Sequence, residues 1–429
     1  MTVRKEIDMK NLFMRRVAIL LLLFGFIICC TKTTANNSVS IEIKAASFTE
    51  ASGEAQIEPA DGGFQQVSLA EEKGWLAYNV QVPEAGRYRS EVMLTTADTN
   101  GASCWIEDYY DNKDGRTYNI TGIMIIPNTM QKSSTAAIDG SPLNAGMHKM
   151  KLHIEGRETA VAQIKFTLLK RHQVTPVIKK QNMTGSDWQL AWSDEFDGQG
   201  IPDTSKWTFD IGNWGWGNNE SQYYMQYRPE NARQEDGNLI IESHKGDQGF
   251  PWTSARLTTR GKVGFIYGKI EFRAIVPSGD GTWAAGWTLG DAYRDELSWP
   301  YCGEIDILEC TGHEIDDNSG AGINHASCHT GAFYFKKGNQ ITSTINVENM
   351  SNDFHLYSIE WYPDKIVGYL DNQEYYTYDK TKDELEWPFN NAQNLIINLA
   401  MGGGMGGKID AGLQSQKLII DYVRVYELR

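Results

Sequence analysis

Several patterns typical of common functional classes are missing from this 429-residue sequence. It has 40 Lys and Arg residues against 55 Asp and Glu residues, a formal net charge of −15, and no basic stripe. Because phosphate backbones are bound by clustered cations, we expect no nucleic-acid partner. The cysteines show neither CxxC nor Cys/His ligand spacing, which argues against a zinc site.

The glycine-rich stretch NLAMGGGMGGKID, residues 398–410, lacks the features of a phosphate-binding loop. Such a loop leads from a strand into a helix, and its lysine is followed by Ser or Thr. We therefore interpret this stretch as a glycine-hinged loop at the edge of a binding cleft.

The N-terminus has the pattern of a secretory signal. Lys10, Arg15 and Arg16 precede the apolar run VAILLLLFGFII, which is too short to span a bilayer comfortably. The polar TKTTANNS follows Cys30, and this order resembles a bacterial lipoprotein cleavage site at which the cysteine is lipidated. We predict a signal peptide of the lipoprotein type over residues 1–30.

The predicted signal sets the expected location. Residues 31–39 are small and polar, which is typical of a tether. We expect secretion across the inner membrane and anchoring to the bacterial outer membrane through a lipid, on the periplasmic side or at the cell surface. Plain secretion and a single membrane-spanning helix are the alternatives.

Both halves of the remaining chain have the pattern of antiparallel strands. Runs such as SIEIKAASF and GRYRSEVMLTT, separated by turn clusters such as EPADGG, fill residues 40–170. Residues 188–429 continue with clear alternation in KIEFRAIV and DYVRVYEL, and neither half contains a long amphipathic helix. The pattern predicts an all-β protein of two antiparallel β-sandwich domains, joined by a polar linker over 171–187.

Three carboxylates lie within six positions in EIDILE. Glu304 and Asp306 share one face of a strand, because side chains alternate. Glu309 returns to that face only if a β-bulge in the Ile307–Leu308 region inserts one extra residue. Three acids this close cannot all ionise freely, so we expect at least one raised pKa.

This acidic cluster suits glycosidic chemistry. A carboxyl with a raised pKa can act as a general acid while an ionised neighbour acts as a nucleophile, and retaining glycosidases hold two such carboxyls about 5–5.5 Å apart. A solvated strand face and a hard-cation site are the alternatives. Ile305, Ile307 and Leu308 favour a buried strand, where acids without a task are costly.

The stretch GEIDILE, preceded by Trp299 and Pro300, resembles the active-site strand of glycoside hydrolase family 16 in the bulged form of laminarinase-like members. Five further stretches match in order: WSDEFDG (192–198), WGWGNNESQYY (214–224), GTWAAGWTLG (281–290), WPFNNAQNLIINLAMGG (387–403) and DYVRVYE (421–427). The resemblance covers about residues 188–429. It implies a concanavalin-like β-jelly roll and a retaining endo-β-1,3-glucanase that needs no cofactor for catalysis and that we expect to be a monomer.

The same resemblance implies individual roles. Glu304 would be the nucleophile and Glu309 the general acid/base, with Asp306 between them tuning the nucleophile. The implied substrate-binding residues are Trp283, Trp287, Trp299, Asn218, Arg273 and His329. Core packing is the alternative for the tryptophans, and a structural ion pair is the alternative for Arg273.

A structural calcium site is also implied on the convex side. Its ligands would be Glu195, the backbone carbonyl of Gly237, and Asp421, which supply the oxygen atoms that calcium prefers. The ion would stabilise the fold and take no part in catalysis. A disulfide among Cys302, Cys310 and Cys328 stays open.

The N-terminal half has a resemblance of its own. GWLAYNVQVPEAGRYRSEVMLTT, residues 74–96, resembles carbohydrate-binding module families 6 and 35. This implies a sugar-binding domain over residues 40–170, in which Trp105, Tyr109 and Tyr110 would form an aromatic platform. A spacer sandwich without sugar affinity is the alternative.

The expected partner of the whole protein is a polysaccharide, a β-1,3-glucan such as laminarin. Mixed-linkage β-1,3-1,4-glucan and an algal galactan are the alternative substrates. A non-catalytic surface glycan-binding protein is the alternative of another class. The intact acid triad argues against it, because binding alone does not require a bulged set of acids.

Overall fold

A computed structural model of the protein describes residues 39–108, 117–128 and 132–429. The predicted signal peptide, its Cys30 and nearly all of the tether lie outside the described residues. Among the described residues, no helix combines the length and apolar character needed to cross a membrane.

The N-terminal part of the described chain consists of twelve strands and two 3-10 turns. The strands are β1 (Ser40–Lys44), β2 (Glu50–Ala51), β3 (Ala55–Pro59), β4 (Gln65–Leu69), β5 (Lys73–Val82), β6 (Gly86–Thr96), β7 (Ala102–Asp108), β8 (Tyr118–Asn119), β9 (Met124–Ile126), β10 (Ser134–Leu143), β11 (Gly146–Glu155) and β12 (Thr159–Arg171), and the turns are Ala45–Ser47 and Asp61–Gly63. In β6 every second residue is buried, because alternate side chains point into the sandwich.

These strands form two six-stranded sheets within the described part. One has the order β10-β6-β12-β4-β3 with β1 on β12, and the other has the order β2-β5-β11-β7-β8 with β9 on β7. Between them lies an apolar core whose largest members are Tyr78, Tyr88 and Phe166. Below, this half is called the N-terminal sandwich.

The C-terminal part of the described chain is again almost entirely strand. The strands are β13 (Val177–Lys180), β14 (Trp188–Asp194), β15 (Thr208–Phe209), β16 (Gln222–Tyr224), β17 (Ala232–Glu235), β18 (Asn238–Lys245), β19 (Trp252–Ser254), β20 (Arg256–Thr258), β21 (Val263–Ile266), β22 (Gly268–Ile275), β23 (Thr282–Gly290), β24 (Glu304–Thr311), β25 (Gly322–His329), β26 (Ile341–Val347), β27 (His355–Trp361), β28 (Lys365–Leu370), β29 (Gln373–Asp379), β30 (Gln393–Met401) and β31 (Ser415–Leu428). One short helix, α1 (Gly403–Gly406), and 3-10 turns at Gly312–Glu314 and Phe335–Lys337 complete it.

Two large sheets result, a nine-stranded one and a ten-stranded one among the described residues. The first has the order β13-β21-β30-β23-β24-β25-β26, with β20 on β30 and β15 on β20; the second has the order β16-β19-β18-β31-β22-β27-β28-β29, with β14 on β31 and β17 on β18. Their facing sides bury Trp207, Phe265, Phe272 and Trp361 completely. Each such side chain contributes roughly 1.5–3 kcal/mol on burial. The all-β, jelly-roll expectation is confirmed for this half.

The segment predicted as a linker contributes a strand. Val177–Lys180 pairs in parallel with Val263–Ile266 at one edge of the nine-stranded sheet. A run of four residues among polar neighbours is too short for alternation of apolar and polar side chains to predict a strand.

The two sandwiches contact each other through the β10 strand. Asn213 donates its backbone N–H to the carbonyl of Asp139 at 2.9 Å and accepts the Asp139 N–H on Oδ1 at 3.1 Å. Gly140 has φ +94°, and a Cβ there would lie 2.4 Å from the carbonyl oxygen of Ile211. Glycine is therefore required for the backbones to approach this closely.

The cysteines that the structure describes are buried free thiols at positions 104, 302, 310 and 328. The disulfide left open by the sequence is therefore not formed among them.

Candidate active site

Strand β24 carries a bulge at Ile307. On the neighbouring β23, the consecutive residues Gly286 and Trp287 pair with Leu308 and Asp306, so Ile307 has no partner on that strand. The bulge predicted from the spacing of the three acids is confirmed.

The bulge sorts the side chains of β24 between two environments. Ile305 and Leu308 are fully buried in the core between the large sheets. Glu304, Asp306 and Glu309 line a cleft of about 740 Å³ on the other face of the strand. The inserted residue therefore brings the third acid beside the first two.

A side chain from the next strand stabilises the bulge. β24 pairs with β25 only from Glu304 to Asp306. Beyond that point, Asn324 donates from Nδ2 to the carbonyl of Ile307 at 3.1 Å and accepts the N–H of Glu309 on Oδ1 at 3.0 Å. This buried amide, which was not predicted, replaces the missing ladder bonds on either side of the bulge.

All three carboxyls are weaker acids than free Asp or Glu. Burial, reinforced by the charge of Asp306, raises the pKa of Glu304 to about 8 and that of Glu309 to about 8. Burial also raises the pKa of Asp306 to about 8. Because the groups are coupled, the set holds protons at neutral pH, as expected for a site that combines an acid with a nucleophile.

The three predicted tryptophans lie in the cleft and hydrogen-bond to its polar residues. Trp299 donates from Nε1 to Glu304 at 2.9 Å, and Trp283 donates from Nε1 to Glu309 at 3.2 Å. Trp287 donates to Oδ1 of Asn398 at 2.7 Å. The two outer acids are therefore each oriented by an indole N–H.

His329 lies beside the acids, on β25. Its Nε2 atom is 3.3 Å from Asp306 Oδ2 and 3.8 Å from Glu304 Oε1. Its Nδ1 atom is buried without a hydrogen-bond partner among the described residues. Donor atoms of these three residues lie within 4.8 Å of one another, so they satisfy the spacing of a metal site as well as that of a proton-sharing network.

Asn218 lines the cleft as predicted, and it leads to a carboxyl that sequence reasoning missed. Its Nδ2 donates to Glu220 Oε1 at 3.3 Å, and Gln222 donates to the other oxygen at 2.6 Å. Burial raises the pKa of Glu220 to about 7. The sequence gives no periodic signal for Glu220, because the preceding residues Asn218 and Asn219 lie in a turn.

A second missed residue is Arg256. Its guanidinium lies 4.8 Å from the ring centres of both Trp216 and Trp287 and pairs with Asp210 at 3.1 Å. Such stacking holds the indoles rigidly along the cleft. Nothing in the local sequence TSARLTT indicates this contact.

The structure does not place Arg273 in the cleft, where its predicted contact with sugar would lie. Arg273 follows Lys269 and Glu271 on the outer face of β22, because the alternate residues of that strand fill the core. It hydrogen-bonds to Asp421 and does not line the cleft. The structural ion pair, which was the alternative, is what the structure contains.

The predicted calcium ligands do not fit a cation as they stand. Glu195 accepts two hydrogen bonds from Arg424, at 3.0 and 2.7 Å, and Asp421 accepts one from Arg273. Gly237 lies in the turn between β17 and β18, with φ +74°. A calcium ion would have to displace both guanidinium groups, whose charge already balances the carboxylates.

Comparisons with known proteins concern the C-terminal half of the chain. The model of the family described as "Glycosyl hydrolases family 16" matches residues 219–424. A β-glucanase of Rhodothermus marinus is 44% identical over 262 residues, which cover 57% of this chain and 90% of that protein.

The chain is also similar to solved structures of glucanases. The laminarinase from Rhodothermus marinus has 43% sequence identity and a TM-score of 0.52, and the match covers 56% of this chain and 98% of that one. SCLam, a non-specific endo-β-1,3(4)-glucanase, has 35% identity and a TM-score of 0.52, with 60% and 97% covered.

Proposed function

The chain belongs to glycoside hydrolase family 16, and we propose that it is a retaining endo-β-1,3-glucanase acting on laminarin-type glucan. Enzymes of this family retain the anomeric configuration and need no catalytic cofactor. The observation that carries the proposal is the bulged strand β24, which turns Glu304, Asp306 and Glu309 into one cleft.

The reaction takes place in two displacements. The carboxylate of Glu304 attacks the anomeric carbon while Glu309 gives its proton to the glycosidic oxygen, so a covalent glycosyl-enzyme forms and the leaving chain departs. Glu309 then takes a proton from water, and the water oxygen attacks the anomeric carbon and releases Glu304.

The neighbours of the two acids support these roles. Burial raises the pKa of Glu304, and the hydrogen bond from the Trp299 indole N–H opposes this rise, so it favours the carboxylate needed for attack. Burial and the charge of Asp306 keep the proton on Glu309. Trp287, held by Arg256 and Asn398, offers a flat apolar face on which a sugar ring can stack.

The proposal also ranks the glucans that the enzyme could cleave. β-1,3-Glucan is the first candidate substrate, because the similar structure from Rhodothermus marinus is a laminarinase. Mixed-linkage β-1,3-1,4-glucan is the second candidate, since SCLam is a non-specific endo-β-1,3(4)-glucanase. A glycan-binding protein without activity is disfavoured, because buried acids with raised pKa values are costly and binding alone does not need them.

The test is hydrolysis of laminarin, lichenan, agarose and carrageenan by wild type, Glu304→Gln and Glu309→Gln. We expect wild type to release reducing sugar fastest from laminarin, and each variant to lose at least about 100-fold in kcat. Glu360→Gln on β27, in the ten-stranded sheet, is the matched control and should keep full activity. Undiminished hydrolysis by Glu304→Gln would refute the assignment, as would a wild type that binds laminarin without cleaving it.

The N-terminal sandwich is proposed as a sugar-binding module. Its support is a row of aromatic rings in register across β5, β11 and β7, formed by Trp75, His153 and Trp105. Trp105 stacks on His153 with ring centres 4.8 Å apart. The predicted partners Tyr109 and Tyr110 lie outside the described residues.

A binding test on insoluble β-1,3-glucan checks this role. The inactive variant Glu304→Gln should be retained on the glucan, and the double variant Glu304→Gln with Trp105→Ala should be retained less. Unchanged retention of the double variant would contradict the role.

Location rests on the sequence of the N-terminus. We propose a lipid on Cys30, an outer-membrane anchor and a monomeric protein. Cys30→Ser should move the protein from the membrane fraction to the soluble fraction, and light scattering should give the mass of one chain. We do not propose a structural calcium ion, because the carboxylates predicted to bind it are paired with arginines.

A further inference from the structure

A polar groove enclosing about 630 Å³ of open space lies between the two sandwiches. Residues 117–119 of the N-terminal sandwich form one wall, and the loop 214–219 forms the other. Trp214, Gly217 and Lys336 line both this groove and the cleft that holds the catalytic acids. The groove is therefore a continuation of the cleft.

The shared wall connects directly to the catalytic residues. Tyr118 donates its hydroxyl to the carbonyl of Trp299 at 3.5 Å, and Trp299 is the residue that hydrogen-bonds to Glu304. The ammonium of Lys336 lies 4.5 Å from the Tyr118 ring centre and 5.6 Å from that of Trp299. The N-terminal sandwich thus contacts residues beside the proposed nucleophile.

Close packing holds the opposite wall in place. Gly122 has φ +68°, and a Cβ there would lie 3.1 Å from the carbonyl oxygen of Trp214. The preceding residue of the loop, Asn213, is bonded to Asp139 of the N-terminal sandwich. Both walls therefore belong to one packed unit, so the groove is preformed.

The lining offers a hydrogen-bond donor without a partner among the described residues. Asn119 uses Oδ1 to accept the N–H of Thr121 at 3.1 Å, while its Nδ2 group has no acceptor among the described residues. A sugar hydroxyl oxygen can accept a hydrogen bond from this amide.

We propose that this groove is a glycan subsite built jointly by the two sandwiches, and that it binds a further sugar unit of the neutral β-glucan chain lying in the cleft. The inference rests on the proposed function and deepens it. Long substrates reach the groove and gain its contacts, whereas short oligosaccharides occupy only the part of the cleft around the acids.

The test compares linear β-1,3-gluco-oligosaccharides of three to eight units. For wild type, kcat/KM should rise with length and then level off once the chain fills the groove. Asn119→Ala should lose about five- to tenfold in kcat/KM on the longest substrates, mainly through KM, which is the effect of about one hydrogen bond. Asn119→Asp keeps the oxygen that accepts the Thr121 N–H and removes the amide donor, so it should show the same loss.

The controls separate this inference from the proposed function. Asn79→Ala, at an exposed site on β5 away from the groove, should match wild type at every length. If wild type cleaves no glucan at all, the proposed function fails. If wild type is active and both Asn119 variants keep its length dependence, the subsite is wrong. An equal loss at all lengths, together with a lower Tm, would also overturn it, since that pattern marks a structural role.

Discussion

At the scale of single residues, the cleft depends on acids that burial weakens. Glu304, Asp306 and Glu309 lie within one strand, and burial is the largest cause of each raised pKa. The same burial that keeps Glu309 protonated, as its proposed role of general acid requires, destabilises the folded protein once that proton is lost. Function and stability are therefore opposed at this residue.

Glu309→Gln should stabilise the protein at pH 8 and have no such effect at pH 4. Burial raises the folded-state pKa of Glu309 from 4.5 to about 8, so the folded state binds the proton more tightly than the unfolded chain. Stability contributed at this site is therefore full below about pH 4.5 and is lost as the pH rises towards 8. Glutamine does not ionise, so it escapes this loss.

Thermal unfolding at the two pH values measures this effect. The Tm of Glu309→Gln should exceed that of wild type by at least about 2–4 °C at pH 8, which corresponds to about 1 kcal/mol for a domain of this size. Glu360→Gln serves as the control. A Tm difference that is the same at pH 4 and pH 8 would show that burial of the charge is not its cause.

At the scale of elements, strand β24 decides where the third acid points. Ile307 has no partner on β23, and Asn324 bonds to the carbonyl of Ile307 and to the N–H of Glu309. Two interactions therefore stabilise the bulge: the core packing of its apolar side chains and the hydrogen bonds of the buried Asn324 amide. Its position sets the distance along the strand between Glu304 and Glu309.

Deleting Ile307 should reduce kcat on laminarin by at least about 100-fold while leaving a folded protein. The deletion keeps Glu309 on the cleft face but draws it about 3.3 Å closer to Glu304 along the strand, so the two carboxyls no longer flank one glycosidic bond correctly. Ile307→Ala removes core volume without changing the register. It should lower the Tm and keep most of the activity, and equal activity in the two variants would exclude register as the cause.

At the scale of the whole molecule, the N-terminal sandwich acts as part of the active-site scaffold. Arg87 of β6 places its guanidinium 4.9 Å from the Trp216 ring centre and 5.8 Å from that of Tyr293, both of which line the cleft. The charges of Asp210 and Glu296 stabilise its protonated form. A partly buried cation of one sandwich therefore packs against cleft residues of the other.

Arg87→Met should destabilise the protein by roughly 3 kcal/mol, because it leaves buried acids without one of their cations. It should also raise the KM for laminarin, because the Trp216 ring loses its contact with the Arg87 guanidinium. Arg157→Met is the matched control, because Arg157 pairs with Glu72 at the surface with three quarters of its side chain exposed. A loss of Tm no larger than that of the control would mean that Arg87 does not hold the two sandwiches together.

Local patterns in the sequence were sufficient for the strand-rich class, the acid triad and the bulge. All three follow from side-chain alternation over a few neighbouring residues, which any strand must obey. The tryptophans of the cleft were found through motifs that resemble a family, and the structure places Trp283, Trp287 and Trp299 beside the acids or their neighbours.

Tertiary structure decided the rest, because those features join residues far apart in the chain. Arg273 belongs to an ion pair with Asp421, 148 positions away, and the pattern of β22 could not indicate its partner. Glu220 and Arg256 line the cleft through contacts with β30, at Gly402 just beyond its end and at Asn398, and such contacts leave no periodic signal in their own segments. The groove at Asn119 exists only because two sandwiches pack together. Alternation determines which side of a strand a residue takes, and only packing determines what it faces there.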